Sequence, residues 1–303
     1  MRPDLCIYHA PCQDGFTAAW AIWTRWPDVE FHPGVYGQCP PDVAGKDVLL
    51  VDFSYKKPVL LEMANTARTI SVLDHHKSAE ADLAAFAVDE LEAAAELLHN
   101  PPGQPRIQAL FDMGRSGARM AWEFSHPDEP APRLVLHVED RDLWRFAMNG
   151  TREVCADLFS RPYDFWEWDR AFLDLAQPDT WRARFQMGEA IERKHHKDIA
   201  ELLALTARQM VIGDHRVKVA NLPYTLSSDA ANILAEGQPF GACYYDNAEG
   251  RRVFSLRSKP DGADVSAIAV RYGGGGHARA AGFSAPLGWE GDIEFSHPGV
   301  MIP

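Results

Sequence analysis

Three short apolar runs, "LCIYH" (5–9), "DVLLVDFS" (47–54) and "TISVLDHH" (69–76), alternate with segments of helical character, and this alternation limits the fold more than any other feature. "DVLLV" is continuously apolar, as in a strand buried on both faces. Between the runs, "GFTAAWAIWTRW" and "PVLLEMANTA" read as helices. A β-α-β-α-β order predicts an α/β fold: a mostly parallel sheet flanked by helices. "ELEAAAELLHN", ended by "NPPGQP", and "SGARMAWEF" read as further helices. "RLVLHVEDRDLWRF" fits a helix, or a strand running into a turn, and its period decides neither. Residues 151–180 read as aromatic and irregular. One long helix is predicted from Trp181 to Met210, with Trp181, Phe185, Ile191, Ile199, Leu202, Leu203 and Met210 along one face.

The last third changes character. "HRVKVANL" reads as strand, "SDAANILAEG" as a capped helix, "FGACYYDNAEGRRVFSLRS" as a hairpin turning at "DNAEG", and "DVSAIAVRYGGGG" as a helix ending in glycines. A chain of 303 residues fits two domains. The expected division is an N-terminal domain over 1–180, a linker helix over 181–210 and a smaller C-terminal α/β domain over 211–303.

Each of the three runs ends in residues able to hold a metal. The first ends at His9, with Asp14 five residues on; the second reaches Asp52; the third ends in Asp74, His75 and His76. In an open parallel sheet, ligands bind beyond the carboxyl ends of the strands. Three strands would thus bring imidazoles and carboxylates to one rim. Such a set suits manganese, iron or zinc at a hydrolytic centre, and a carboxylate can bridge two cations. A second His-His pair, His195–His196, lies in the charged helical stretch "ERKHHKDIAEL" and reads as a solvated helix face.

"RYGGGGHARAAGF" (271–283) is the other strong signal. Glycines let backbone N–H groups close on an anion, and a helix beginning near His277 would add its positive end. Arg257, in "FSLRS", is expected on a neighbouring strand, able to fork to the same phosphate. The net charge of −13 disfavours non-specific binding to nucleic acid. From Gly250 to Gly282, six basic residues face two acidic ones, so this segment is +4 and the rest −17. A local basic patch suits a small anionic ligand. Five cysteines without paired spacing suggest reduced thiols and argue against a structural zinc site. With no apolar run of membrane-spanning length and no signal peptide, a cytoplasmic protein is expected.

With these motifs in view, the sequence resembles the DHH phosphoesterase superfamily. "LDHHKSA" matches its naming motif and "YGGGGHARAAGF" the glycine-rich histidine motif of the associated C-terminal domain; "YHAPCQDGFTAAW", "LLVDFS" and "HVEDRDLW" are similar to three others. The resemblance implies a two-domain enzyme with its site in the cleft between domains, cleaving phosphoester or phosphoanhydride bonds with one or two ions of Mn2+, Mg2+ or another divalent cation. It implies His9, Asp14, Asp52, His75 and Asp140 as metal ligands, with Asp142 the competitor of Asp140. Asp74 would orient a histidine, and His76 would face the substrate phosphate. Arg257, Gly275, Gly276 and His277 would bind the phosphate end. Many members carry a second acid two residues after the aspartate of the first motif; here that residue is Phe16. The expected substrates are short oligonucleotides or small nucleotide phosphodiesters. Exopolyphosphatase, or a catalytically impaired nucleotide-binding regulator, is the alternative. No long duplex nucleic acid and no membrane is expected as partner, and a homodimer is one possible assembly.

Overall fold

A computed structural model of the chain describes residues 2–91, 97 and 105–292. The helix expected over "ELEAAAELLHN" lies, apart from its first two residues and Leu97, outside the described residues. The chain divides into two compact units, 1–193 and 194–303.

The first unit is built on β1 (Leu5–His9), β2 (Glu30–Gly34), β3 (Asp47–Val51), β4 (Thr69–Asp74) and β5 (Ile107–Phe111), in the order β2-β1-β3-β4-β5. All neighbours are parallel. Side chains alternate between two covered faces. Cys6, Leu49, Val51 and Leu73 join a core with helices α1 (Gln13–Arg25), α4 (Gly117–Ser125), α5 (Arg133–Asp142), α6 (Thr151–Phe159) and α7 (Phe165–Ala176). Leu5, Ile7, Val48, Leu50, Ile70 and Val72 pack on α2 (Lys57–Met63) and α3 (Lys77–Leu83). Ile7, Leu50 and Val72 are fully buried, and each contributes roughly 1.5–3 kcal/mol of transfer free energy. The α/β expectation thus holds. The strands β2 and β5 are additions to it: β2 is an edge strand containing Pro33, which weakens its sequence signal.

The undecided stretch "RLVLHVEDRDLWRF" is helix up to Asp142, then breaks at Trp144 and Phe146, both with positive φ. The region 151–180 is not irregular. Gly150, left-handed at φ 85°, starts α6, and the Asp164 side chain caps α7 by accepting from the N–H groups of Trp166 and Glu167. The aromatic residues of α7 are largely core: Phe165 stacks on Phe16, and Trp168 Nε1 donates to Thr17 Oγ1 at 2.9 Å.

The long helix α8 (Pro178–Thr206) ends before Met210, which lies on β6 (Arg208–Ile212). The second unit continues with β7 (His215–Asn221), α9 (Ser227–Leu234), β8 (Gly241–Asp246), β9 (Arg251–Arg257), α10 (Val265–Val270), β10 (Gly275–His277) and β11 (Ala280–Pro286). Its sheet runs β10-β11-β9-β8-β7-β6, with only the β7–β8 pair parallel. His195 is not merely solvated: its Nε2 lies 3.1 Å from the buried carboxylate of Asp229.

A buried polar link ties α5 to α6. Thr151 Oγ1 donates to Asp140 Oδ2 at 2.6 Å, and His137 Nδ1 lies 2.9 Å from the Thr151 hydroxyl oxygen. Because the hydroxyl proton is committed to Asp140, His137 Nδ1 carries the proton and donates. Burial, the largest cause, pushes the His137 imidazole from 6.5 down to about 4. The unfolded chain therefore binds a proton that the folded chain refuses between those values. This contribution to stability is complete above about pH 6.5 and is lost as pH falls toward about 4. Urea unfolding of wild type and His137→Asn across this window is expected to show a steeper acid loss in the wild type; equal slopes would refute it.

Candidate metal centre

The carboxyl ends of β1, β3 and β4 deliver the expected residues to one place. His9 ends β1, Asp52 follows β3, Asp74 ends β4, and His75 and His76 follow it. Asp52 stands at the middle. Its backbone is left-handed, φ 54°, and its N–H still donates to Leu73 O across the sheet at 2.9 Å. Aspartate tolerates this conformation better than most residues, and such strain gathers at functional sites. The turn divides the two carboxylate oxygens. Oδ1 lies 3.0 Å from His75 Nε2; Oδ2 lies 3.3 Å from His9 Nδ1 and 3.5 Å from Cys12 Sγ.

Asp14, in the first turn of α1, is buried against the start of α4. Its carboxylate accepts from Gly117 N–H at 2.6 Å and Ala118 N–H at 3.1 Å. A helix N-terminus is well placed to hold a carboxylate. Even so, burial first, then the charges of Asp142 and Asp52, hold Asp14 well above the usual carboxylate range. Asp52 goes the other way: burial raises it, but the hydrogen bond with His75 and the nearness of His9 hold it well below. His75, lowered by burial, is raised well above its ordinary value by Asp52 and Asp142. Acids and imidazoles crowded together thus retain protons that a cation would replace.

Asp140 does not take part. Its carboxylate accepts from Ala147 N–H at 2.8 Å, Met148 N–H at 3.0 Å and the Thr151 hydroxyl. Asp142 is the acid beside the cluster, with Oδ2 3.6 Å from His75 Nε2. Two residues apart on a helix point to nearly opposite sides, so one sequence position cannot stand in for the other. Asp74 shapes the turn after β4: its Oδ1 accepts from the N–H groups of His75 (2.7 Å) and His76 (3.2 Å) and lies 2.7 Å from His76 Nδ1. It therefore orients His76. Burial lowers the His76 imidazole, yet Asp74 raises it to about 9.

Three sets of ligand atoms fall within 4.8 Å of one another here: His9, Cys12 and Asp52; Asp14, His75 and Asp142; Asp52, Asp74 and His76. Among the residues of these sets, His9 Nδ1 and Asp74 Oδ2 are buried without a hydrogen-bond partner. Nitrogen and carboxylate oxygen in this mixture fit a divalent cation. Cys12, Gly117 and Ala118 are additions to the expected site. The only sequence signal for Cys12 is its place between His9 and Asp14. Phe16 points elsewhere, into an aromatic cluster with Tyr8, Phe165 and Trp168.

The glycine-rich motif lies on the second unit's sheet. No helix begins near His277; the chain turns from β10 directly into β11. Gly273 is left-handed at φ 77° and closes the end of α10, while a Cβ on Gly274 would meet Gly282 O at 2.0 Å. Gly276, at φ 136°, would meet Ala280 O at 2.5 Å. A left-handed turn and close backbone contact thus account for three of the four glycines without a ligand. His277, Ala280 and Arg257 stand in one row across β10, β11 and β9. Arg257 is therefore two strands from His277, and its guanidinium donates to Ser228 Oγ at 2.7 Å and to Leu256 O at 2.8 Å. The +4 segment is also less of a patch than its count suggests. Arg252 pairs with Asp246 and Glu290, Lys259 with Glu236, and Arg271 with Asp214, all acids outside the segment.

No family model matches the chain. Protein R106 of Acanthamoeba polyphaga mimivirus, itself uncharacterized, is 29% identical over 306 residues, covering 93% of this chain and 67% of the viral protein. Oligoribonuclease NrnB of Bacillus subtilis is 29% identical over 150 residues, 41% of this chain and 37% of NrnB. Among solved structures, the pGpG-specific phosphodiesterase PggH of Vibrio cholerae aligns with a TM-score of 0.43 and 15% identity over 93% of each chain. An exopolyphosphatase-related protein of Bacteroides fragilis aligns with 0.47 and 14% over 97% of this chain and 89% of its own.

Gly117 gives the site a sharp test. A Cβ there would meet Asp52 Cβ at 2.4 Å and Asp14 Oδ2 at 2.9 Å. Helix propensity alone favours alanine, so Gly117→Ala should stabilise if the contact were soft. The expected result is a loss of about 1–3 kcal/mol in urea unfolding. At Gly114 the nearest obstacle is the Asp112 side-chain oxygen at 3.1 Å, on a half-exposed side chain. Gly114→Ala should stay within about 0.5 kcal/mol of wild type. Equal effects of the two substitutions would contradict the packing described.

Proposed function

We propose that this chain is a phosphoesterase of the DHH type, on its motifs "LDHHKSA" and "YGGGGHARAAGF", and that it is a divalent-metal-dependent phosphodiesterase acting on short oligonucleotides or small nucleotide phosphodiesters. One observation carries the reading. The Asp52 carboxylate divides its oxygens between a set formed with His9 and Cys12 and a set formed by His75 with Asp14 and Asp142. An acid that faces two ligand sets at once is the arrangement expected of a centre for phosphoryl chemistry.

His9, Asp52, Asp14, His75 and Asp142 would hold the cation or cations. When bound, such a cation supplies Lewis acidity at phosphorus and makes water a stronger nucleophile near neutral pH. The remaining roles belong to side chains. Asp74 fixes the His76 ring through Nδ1, which leaves Nε2 on the opposite side of the ring, oriented to donate to a phosphoryl oxygen. The helix N-terminus at Gly117 holds Asp14 in one orientation. In the second unit, His277 and Arg257 share a row of the sheet and are the residues we propose for binding a phosphate group. The similarity to NrnB, an oligoribonuclease, supports the short-oligonucleotide class. The net charge of −13, with Arg252, Lys259 and Arg271 already paired with acids, weighs against long polyanions.

The test is Mn2+-dependent release of mononucleotide from a 5′-phosphorylated RNA dinucleotide, with polyphosphate as parallel substrate. Wild type should release mononucleotide. His75→Ala and Asp142→Asn should lose more than the ~10–100-fold that loss of a merely supporting residue brings. Asp140→Asn should lose about 1–3 kcal/mol of stability, from unpaired N–H groups, while its folded fraction keeps most activity. Orthophosphate release from polyphosphate with no cleavage of the dinucleotide would replace this substrate class. Full activity in Asp142→Asn would remove Asp142 from the centre.

A further inference from the structure

His9 ends β1, Cys12 lies three residues on at the start of α1, and both converge on one oxygen. His9 Nδ1 is 3.3 Å and Cys12 Sγ 3.5 Å from Asp52 Oδ2. Ligand atoms of the three residues lie within 4.8 Å of one another. His9 Nδ1 is buried and makes no hydrogen bond despite that carboxylate beside it. The ring is held in this attitude by Tyr36 at 5.1 Å, edge-on, and by Phe53 stacked at 6.0 Å. An imidazole packed beside a carboxylate without hydrogen-bonding it, with the Cys12 thiol donating to the same carboxylate oxygen, sets three ligand-capable atoms around one point, and the thiol proton is the one a cation would displace.

We propose that Cys12 is a metal ligand, and that His9 Nδ1, Cys12 Sγ and Asp52 Oδ2 form a sulfur-containing half-site selective for Zn2+, Fe2+ or Co2+ over Mn2+ and Mg2+. This rests on the reading of the centre as a metal site. The selectivity follows from ligand softness. Thiolate favours zinc and its neighbours in the transition series, whereas carboxylate and water suit manganese and magnesium. The other set, Asp14, His75 and Asp142, offers only oxygen and nitrogen. The two halves therefore differ in the cation they prefer. On binding, the S–H bond gives its proton to water and the sulfur takes the metal in its place.

The experiment uses the metal-free full-length protein titrated with Co2+ and followed by absorption, with bound cobalt measured by dialysis. Wild type should develop a near-ultraviolet sulfur-to-cobalt charge-transfer band together with visible d–d bands. Cys12→Ser should keep d–d absorption from the other half-site, lose the charge-transfer band, and bind Zn2+ at least ~10-fold more weakly at the affected site. A second readout needs no variant. Zn2+ should protect Cys12 from iodoacetamide, as seen by mass spectrometry, while exposed Cys39 is alkylated with or without zinc. Cobalt bound with d–d bands but no charge-transfer band, or Cys12 alkylated equally with and without zinc, would overturn the proposal and leave the metal centre standing. No cobalt bound at all would overturn both.

Discussion

The left-handed turn at Asp52 is the constraint on which the first unit's rim depends. A strand that simply ran on past Val51 would send the next side chain to one face of the sheet. With φ at 54°, the carboxylate instead lies across the rim, between His75 on one side and His9 with Cys12 on the other. Such a conformation costs of order 1–3 kcal/mol and persists only when its surroundings fix it. Here they do so closely. The Asp52 N–H is held by β4, and α4 begins so near that only glycine fits at position 117. That close approach brings the Gly117 and Ala118 N–H groups onto Asp14. One strained residue therefore bears on the distance between strand ends and helix, and with it on the geometry of Asp52 and Asp14.

Much of this was legible from sequence, for a physical reason. Strands buried on both faces have a plain apolar signature, and the residues just beyond the carboxyl end of such a strand must lie on the rim. His9, Asp52, Asp74, His75 and His76 were readable on that ground alone. The edge strand Glu30–Gly34 was not, because a strand with one neighbour and a proline need not be apolar. The choice between Asp140 and Asp142 was unreadable while "RLVLHVEDRDLWRF" stayed open between helix and strand. As a strand, both acids would face one side. As the helix it is, Asp140 turns to the 147–151 loop and Asp142 to His75. Gly117 and Ala118 act through backbone N–H groups, and Asp14 meets them 103 and 104 residues away in the chain. No spacing rule reaches that far.

The glycine-rich segment shows how one sequence signal can carry two physical demands. Gly273, Gly274 and Gly276 are required by a left-handed turn and by strands that touch backbone to backbone. Their presence alone is therefore no measure of phosphate binding. What the sheet adds is the register: His277 and Arg257 fall in one row on one face, which a flexible glycine loop would not secure. The neighbouring basic residues teach the same lesson. Arg252, with partners on Asp246 and Glu290, is nearly buried and serves the sheet, so a count of charges overstates what the surface offers.

Phe16 bears on whether the centre is intact. An aromatic residue two positions after Asp14, where many members of the superfamily that the sequence resembles have an acid, invites the reading of a disabled centre. The packing of Phe16 does not require that reading. Asp14 and Phe16 are about 200° apart around α1, and Phe16 is 4% exposed among Tyr8, Phe165 and Trp168. A carboxylate there would be buried among aromatic rings, away from the histidines. A ligand missing from that side of the helix leaves no gap at the rim, where the same loop already supplies Cys12 beside His9 and Asp52. On the proposal that Cys12 is a ligand, the departure in sequence changes the chemical character of the donors more than their number.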